Sequence, residues 1–108
     1  MLAPRAAPIG QDGRMSLYAI HYAYDHRAAE RDELRPEHRA WLLGLAEQGV
    51  AKVFGRYEDA GQPGALLVFE AESAEAVESL LAQDPYQDAG LVTGCSVRVW
   101  PAAGPWTA

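Results

Sequence analysis

The chain has little positive charge. One lysine and eight arginines stand against 15 acidic residues, which leaves a formal net charge of −6 over 108 residues. Nucleic-acid binding depends on a basic surface that neutralises phosphates, and the few arginines are scattered along the sequence. We therefore expect no nucleic-acid partner.

Cysteine and long apolar segments are also scarce. Cys95 is the only cysteine, so no disulfide can form within the chain, as is usual in reducing compartments. No apolar run approaches the ~20 residues that span a bilayer, and the first residues lack the apolar core of a signal peptide. These absences predict a cytoplasmic protein without a membrane partner.

The length is that of one domain. Residues 1–15 contain prolines and glycines but no hydrophobic period, which predicts a disordered leader. Pro101 stops the last strand pattern, so residues 101–108 are expected to form an irregular tail. The folded domain is then predicted over residues 16–100.

Hydrophobic spacing predicts two helices and four strands in the order βαββαβ. The predicted strands are residues 16–24, 50–55, 65–71 and 91–100. This order is typical of a ferredoxin-like α+β domain, in which two helices cover one face of a four-stranded antiparallel sheet.

The helix boundaries are predicted from capping residues. After a polar connection over residues 25–34, Pro36 suits the first turn of a helix, and Gly49 suits the position beyond its end. This boundary puts His38 in the first helical turn. Ser73 is a suitable N-cap for the second helix.

The first strand predicts a partner subunit. Its two alternating faces are both largely apolar, whereas a sheet face exposed to water should be polar. We therefore expect a homodimer that packs through the open sheet face. The interface face carries either Tyr18, Ile20 and Tyr22 or their alternates. The tyrosines 18, 22 and 24 are predicted to fill the interface rather than to bind a cofactor.

Two residues form the strongest candidate site. Asp84 precedes Pro85, so it should be the last residue of the second helix or the first beyond it, and the element order brings that end beside the start of the first helix. His38 shares a helical face with Trp41 and Leu42, so it should point inward. A carboxylate beside an inward histidine is the arrangement of a general base. The alternative is a packing histidine and a helix stop.

Tyr86 and Arg56 are candidate substrate-binding residues. Tyr86 follows Asp84 closely and could line a pocket with its ring or hydroxyl, or else anchor the Pro85 turn. Arg56 begins a turn-rich loop over residues 56–64. It could bring a positive charge to the pocket or point into solvent.

No cofactor or metal is predicted. The sequence lacks a glycine-rich phosphate loop. His21, His26 and His38 could be imagined as metal ligands together with Asp84, but their spacing matches no metal motif. Cys95 lies within a predicted strand and is expected to be a small core residue rather than a nucleophile.

Three stretches carry a resemblance to a known family. They are LRPEHRAWL at residues 34–42, FEAES at residues 69–73 and DPYQDAGL at residues 84–91. Over residues 16–100 the chain resembles the YciI-like family, also called YCII-related domains. The resemblance implies a dimeric α/β barrel with a His–Asp dyad, which falls on His38 and Asp84.

The resemblance also implies a range of activities. One branch of the family is a dehydrochlorinase of a chlorinated hydroxyhydroquinone, and its structural relatives include muconolactone isomerases. Family members often have Gly-Pro after the second strand, where this chain has Gly55 and Arg56.

From these observations we expect a small enzyme that uses the dyad for acid–base chemistry, either isomerisation or elimination. Its ligand would be a small, partly apolar organic molecule. The alternative is a non-catalytic module of the same fold that binds a small molecule or a protein.

Overall fold

The computed structural model describes residues 15–105. The predicted leader, apart from Met15, and the last three residues of the predicted tail lie outside that range. The elements are β1 (Ser16–Tyr24), α1 (Ala28–Glu47), β2 (Ala51–Arg56), β3 (Gly64–Ala71), α2 (Ala74–Leu81), α3 (Pro85–Asp88) and β4 (Val92–Val99).

The strands form one antiparallel sheet in the order β2-β3-β1-β4. Both long helices pack on the same face of this sheet, where Leu42 and Leu45 of α1 and Val77 and Leu81 of α2 join the core. The predicted ferredoxin-like fold is confirmed, with the short α3 as an addition. Within residues 15–105, no helix is long and apolar enough to cross a membrane.

The strand β1 buries its tyrosines beneath the helices. Tyr18, Tyr22 and Tyr24 belong to the core cluster, so the prediction that they fill a sheet-to-sheet interface is wrong. The period of a strand determines which residues share a face, but it does not say which face the helices cover. Leu17, Ala19 and the other alternate residues of β1 lie on the open face.

The helix α1 begins eight residues earlier than predicted, at Ala28 rather than Pro36. Residues 28–35 are mostly good helix formers, and Asp25 Oδ1 accepts a hydrogen bond from the Arg27 amide at 3.1 Å just before the helix. Pro36 therefore lies inside the helix. His38 lies ten residues after Ala28, about 15 Å along the axis, so no helix terminus acts on it.

Two predicted helix ends are confirmed. Gly49 adopts a φ of 80°, and its amide donates to the Ala46 carbonyl at 3.0 Å while the Val50 amide donates to the Leu45 carbonyl at 2.9 Å. These two bonds form a Schellman motif, which favours glycine. At the start of α2, Ser73 Oγ accepts a hydrogen bond from the Ala76 amide at 3.0 Å.

The segment after α2 differs from the prediction. The helix α2 ends at Leu81, and Asp84 is the N-cap of α3 rather than the last residue of α2. Pro85 occupies the first position of α3, where its missing amide hydrogen costs nothing. Asp84 has the extended backbone, with ψ of 125°, that proline imposes on the preceding residue.

Cys95 is not a core residue. It is exposed on β4, which among residues 15–105 is an edge strand paired with β1, so the prediction that it fills the core is wrong. A strand pattern does not distinguish a central strand from an edge strand, and this difference decides how much of a small side chain is covered.

The close approach of β3 to β1 generates a stability prediction. A Cβ atom added at Gly64 would fall inside contact distance of the Tyr22 carbonyl oxygen, and the paired backbones cannot separate without loss of hydrogen bonds. We expect Gly64→Ala to lower the free energy of unfolding by about 1–3 kcal/mol in chemical denaturation.

Gly44→Ala is the matched control, because Gly44 lies in α1 with nothing within 4 Å of an added Cβ. It should raise stability by about 0.5–1 kcal/mol. Equal stability of the two alanine variants would contradict the assigned strand contact.

Candidate active site

The candidate site is built around the carboxylate of Asp84, which is 0% exposed. Its Oδ1 atom lies 2.7 Å from His38 Nδ1 and accepts a hydrogen bond from the Tyr86 amide at 3.0 Å. Its Oδ2 atom accepts a hydrogen bond from the Tyr22 hydroxyl at 2.7 Å. His38 and Asp84 are therefore in direct contact.

These contacts determine the tautomer of His38. Asp84 is surrounded by donors and acts as an acceptor, so the shared proton belongs on His38 Nδ1. In the neutral imidazole the other nitrogen, Nε2, then carries the lone pair. Nε2 has no hydrogen-bond partner within the described part of the chain, and His38 lines a pocket.

Tyr86 supports the imidazole from one side. Its ring stacks on His38 with centroids 3.9 Å apart and an interplanar angle of 5°. Its hydroxyl donates to the Arg31 carbonyl at 3.0 Å. Tyr86 also lines the pocket, and its hydroxyl is already engaged.

Tyr22, Tyr24 and Arg31 are site residues that the sequence reasoning missed. Burial, followed by the nearby Asp84, raises the pKa of Tyr22, so its hydroxyl is a stable donor. Burial is also the main reason why the pKa of Tyr24 is raised. The Arg31 guanidinium lies over the Tyr24 ring, 4.8 Å from its centroid.

The signals that could have identified them were present. Tyr22 and Tyr24 lie toward the end of β1 that leads into α1, on the face shared with Ile20. Arg31 was overlooked because residues 25–34 were interpreted as a connection instead of the first turns of a helix.

The pocket beside His38 has a volume of about 570 Å³. Its walls come from the end of β1, from α1 and α3, and from the strands β2 and β3 with the loop between them. Apolar side chains from Leu42, Phe54 and Pro63 line it beside four arginines and three acids. The charged lining residues are Arg31, Arg35, Arg39, Arg56, Asp32, Glu58 and Asp59.

Most of these charges are already paired. Arg35 contacts Asp32 at 2.6 Å, and Arg56 contacts Glu58 at 2.6 Å with both side chains more than half exposed. Arg39 has no acidic partner among residues 15–105. The sequence left open whether Arg56 lies at the pocket or points into solvent. In the structure it lines the pocket and is also exposed to solvent.

The other two histidines lie apart from His38. His21 is on the open sheet face, where its Nδ1 atom lies 3.2 Å from the Tyr57 hydroxyl. His26 is exposed in the turn before α1. Among the described residues, no group of three or more acidic, histidine or cysteine side chains could hold a metal ion.

The profile of the YCII-related domain matches residues 15–101. The chain belongs to the YCII-related domain family. No curated protein matches the chain at a significant level. Solved structures do match it, and they have the dimeric α/β barrel fold.

One similar structure is the 5-chloro-2-hydroxyhydroquinone dehydrochlorinase TftG from Burkholderia phenoliruptrix AC1100, in complex with 2,5-dihydroxybenzoquinone. It is 27% identical, with a TM-score of 0.71, and the match covers 81% of this chain and 95% of that chain.

Two further structures show the likeness of the fold alone. Rv0793 from Mycobacterium tuberculosis is 17% identical with a TM-score of 0.50, and the match covers 84% of this chain and 97% of that one. The cofactor-independent oxygenase SnoaB from Streptomyces nogalater is 16% identical with a TM-score of 0.51, and the match covers 86% and 97%.

Proposed function

We propose that this YCII-related domain is an acid–base enzyme that acts on a small, partly apolar organic molecule. His38 is the general base and acid, and Asp84 orients it. The observation that carries the proposal is the 2.7 Å contact between Asp84 Oδ1 and His38 Nδ1 at the wall of the pocket. This contact leaves Nε2 as the nitrogen that can take a proton from a ligand.

The proposed chemistry is isomerisation or elimination. His38 Nε2 takes a proton from a substrate carbon or hydroxyl, and the buried Asp84 stabilises the imidazolium that forms. In an isomerisation the electron pair moves the double bond, and His38 returns the proton to another atom. In an elimination the electron pair expels a leaving group such as chloride from the adjacent carbon.

The character of the pocket supports a substrate with one ring. Its volume is within the range of small-molecule sites, and apolar and aromatic side chains form part of its wall. The Tyr86 ring would contact the substrate. Arg39, which has no acidic partner among residues 15–105, would stabilise negative charge that develops on a substrate oxygen, and Arg56 could do so by exchanging its partner Glu58 for the substrate. The dehydrochlorinase, at 27% identity, acts on a molecule of this kind.

The catalytic proposal is tested with a panel of hydroxylated and chlorinated ring compounds that includes 5-chloro-2-hydroxyhydroquinone. We expect His38→Asn to lower kcat/KM by about 10²–10⁴-fold, because it removes the proton acceptor but keeps a polar side chain. Asp84→Asn should lower kcat with little change in KM, since it removes the support of the imidazolium.

Glu37→Gln is the matched control, because Glu37 is the exposed neighbour of His38 and does not line the pocket. Full turnover by His38→Asn would exclude the proposed mechanism. Binding of panel compounds without turnover by the wild type would instead support the ligand-binding module.

We also propose that the protein forms a homodimer through the open sheet face. Neither long helix packs against this face, which carries Leu17, Ala19, Ala23 and Leu66 as half-buried apolar residues. A second copy that packs sheet to sheet would remove these side chains from water. Such an interface should bury more than ~1,000 Å² in total.

The dimer is tested by light scattering at micromolar concentration. The wild type should have twice the 11.7 kDa mass of one chain. We expect Leu66→Glu to yield the single-chain mass, because it would bury an unpaired charge in the interface.

Leu43→Glu makes the same change on α1 at an exposed leucine and should leave the mass unchanged. A wild type with the mass of one chain, or a Leu66→Glu variant that remains dimeric, would contradict the proposal.

A further inference from the structure

We infer that Tyr22 is a positioning residue for the proposed reaction. Its hydroxyl holds Asp84 Oδ2 so that Oδ1 stays aligned with His38 Nδ1. Its catalytic meaning rests on the proposed function, whereas the geometric coupling of Tyr22 to His38 can be tested without any substrate.

The two oxygens of Asp84 have different partners. Oδ1 accepts from His38 and from the Tyr86 amide, which belongs to the same α3 turn as Asp84. Oδ2 accepts from Tyr22 alone among the residues described. Without this third bond, the carboxylate could rotate about its bond to Cβ, and Oδ2 would be a buried oxygen without a donor.

Tyr22 connects the dyad to a central strand of the sheet. It lies in β1, which pairs with β3 and with β4, and its backbone positions oppose Ala65 and Cys95. His38 comes from α1 and Asp84 from the cap of α3. The Tyr22 hydroxyl therefore holds a contact between two helical segments at a fixed place above the sheet.

The donor role of Tyr22 is insensitive to pH over the working range. Burial raises the pKa of Tyr22, and Asp84 raises it further, while Gln87 acts in the opposite direction and Cys95 adds a small increase. A raised tyrosine pKa favours the neutral hydroxyl, so Tyr22 remains a donor well above pH 7. The Tyr22 hydroxyl should then remain a donor on the alkaline side of the pH–rate profile.

Tyr22→Phe and Tyr18→Phe are the matched pair of variants. Both remove a hydroxyl from a buried tyrosine of β1 on the same face, but no bond links Tyr18 to the dyad among residues 15–105. The ¹⁵N chemical shifts of the His38 ring and the kcat and KM of both variants are measured on the full chain.

We expect Tyr22→Phe to displace the His38 Nδ1 and Nε2 resonances and to lower kcat about tenfold with KM within about twofold. Tyr18→Phe should leave the His38 resonances and kcat at wild-type values. If Tyr22→Phe fails to fold, 3-fluorotyrosine incorporated at position 22 keeps the shape, strengthens the donor and should also displace the His38 resonances.

Unchanged His38 resonances in folded Tyr22→Phe, or in the fluorotyrosine protein, would overturn the inference. Displaced resonances with unchanged kcat would also overturn it, because Tyr22 would then be a structural contact only. A wild type without turnover would defeat the proposed function and the catalytic role of Tyr22. The ¹⁵N comparison would still decide whether Tyr22 is coupled to His38.

Discussion

The constraint on which the site depends is the complete burial of the Asp84 carboxylate. A buried carboxylate is costly unless donors replace the water that it loses. Here the donors come from three elements, namely Tyr22 in β1, His38 in α1 and the Tyr86 amide in α3. The Asp84 carboxylate therefore obtains all its hydrogen bonds only when β1, α1 and α3 pack against one another.

Local chemistry prepares Asp84 for this role before any tertiary contact forms. Pro85 holds Asp84 in an extended conformation and begins α3. The side chain of Asp84 then caps α3 through the Tyr86 amide, and the same residue that supplies this amide stacks its ring on His38. Pro85 thus fixes the backbone of Asp84, and Tyr86 covers one face of the His38 ring.

The sequence predicted the fold and the inward direction of His38, because both depend on strong local signals. The order of the elements follows from hydrophobic period, and the inward direction of His38 follows from its spacing to Trp41 and Leu42. The element order and the inward direction of His38 do not depend on where α1 begins. The placement of His38 in the first helical turn did depend on the predicted start at Pro36, and it was wrong.

The residues that the sequence did not reveal depend on tertiary contacts. The strand period places Tyr22 on one face of β1. Only the packing of the helices decides that this face meets Asp84. Arg31 reaches the pocket because α1 already begins at Ala28 and continues through Pro36. The helix tolerates Pro36 because the carbonyl that loses its donor belongs to the exposed Asp32. The four-residue α3 is too short to produce a helical period.

The central claim is that Asp84 sets His38 with its proton on Nδ1 and its lone pair on Nε2. The most direct test is a long-range ¹H–¹⁵N correlation spectrum of the histidine rings, recorded on the wild type and on Asp84→Asn at a pH where the imidazole is neutral. The account predicts the Nδ1–H tautomer for His38 in the wild type and a redistribution of the proton between the two nitrogens in Asp84→Asn. A wild-type His38 protonated on Nε2, or identical spectra for the two proteins, would contradict it.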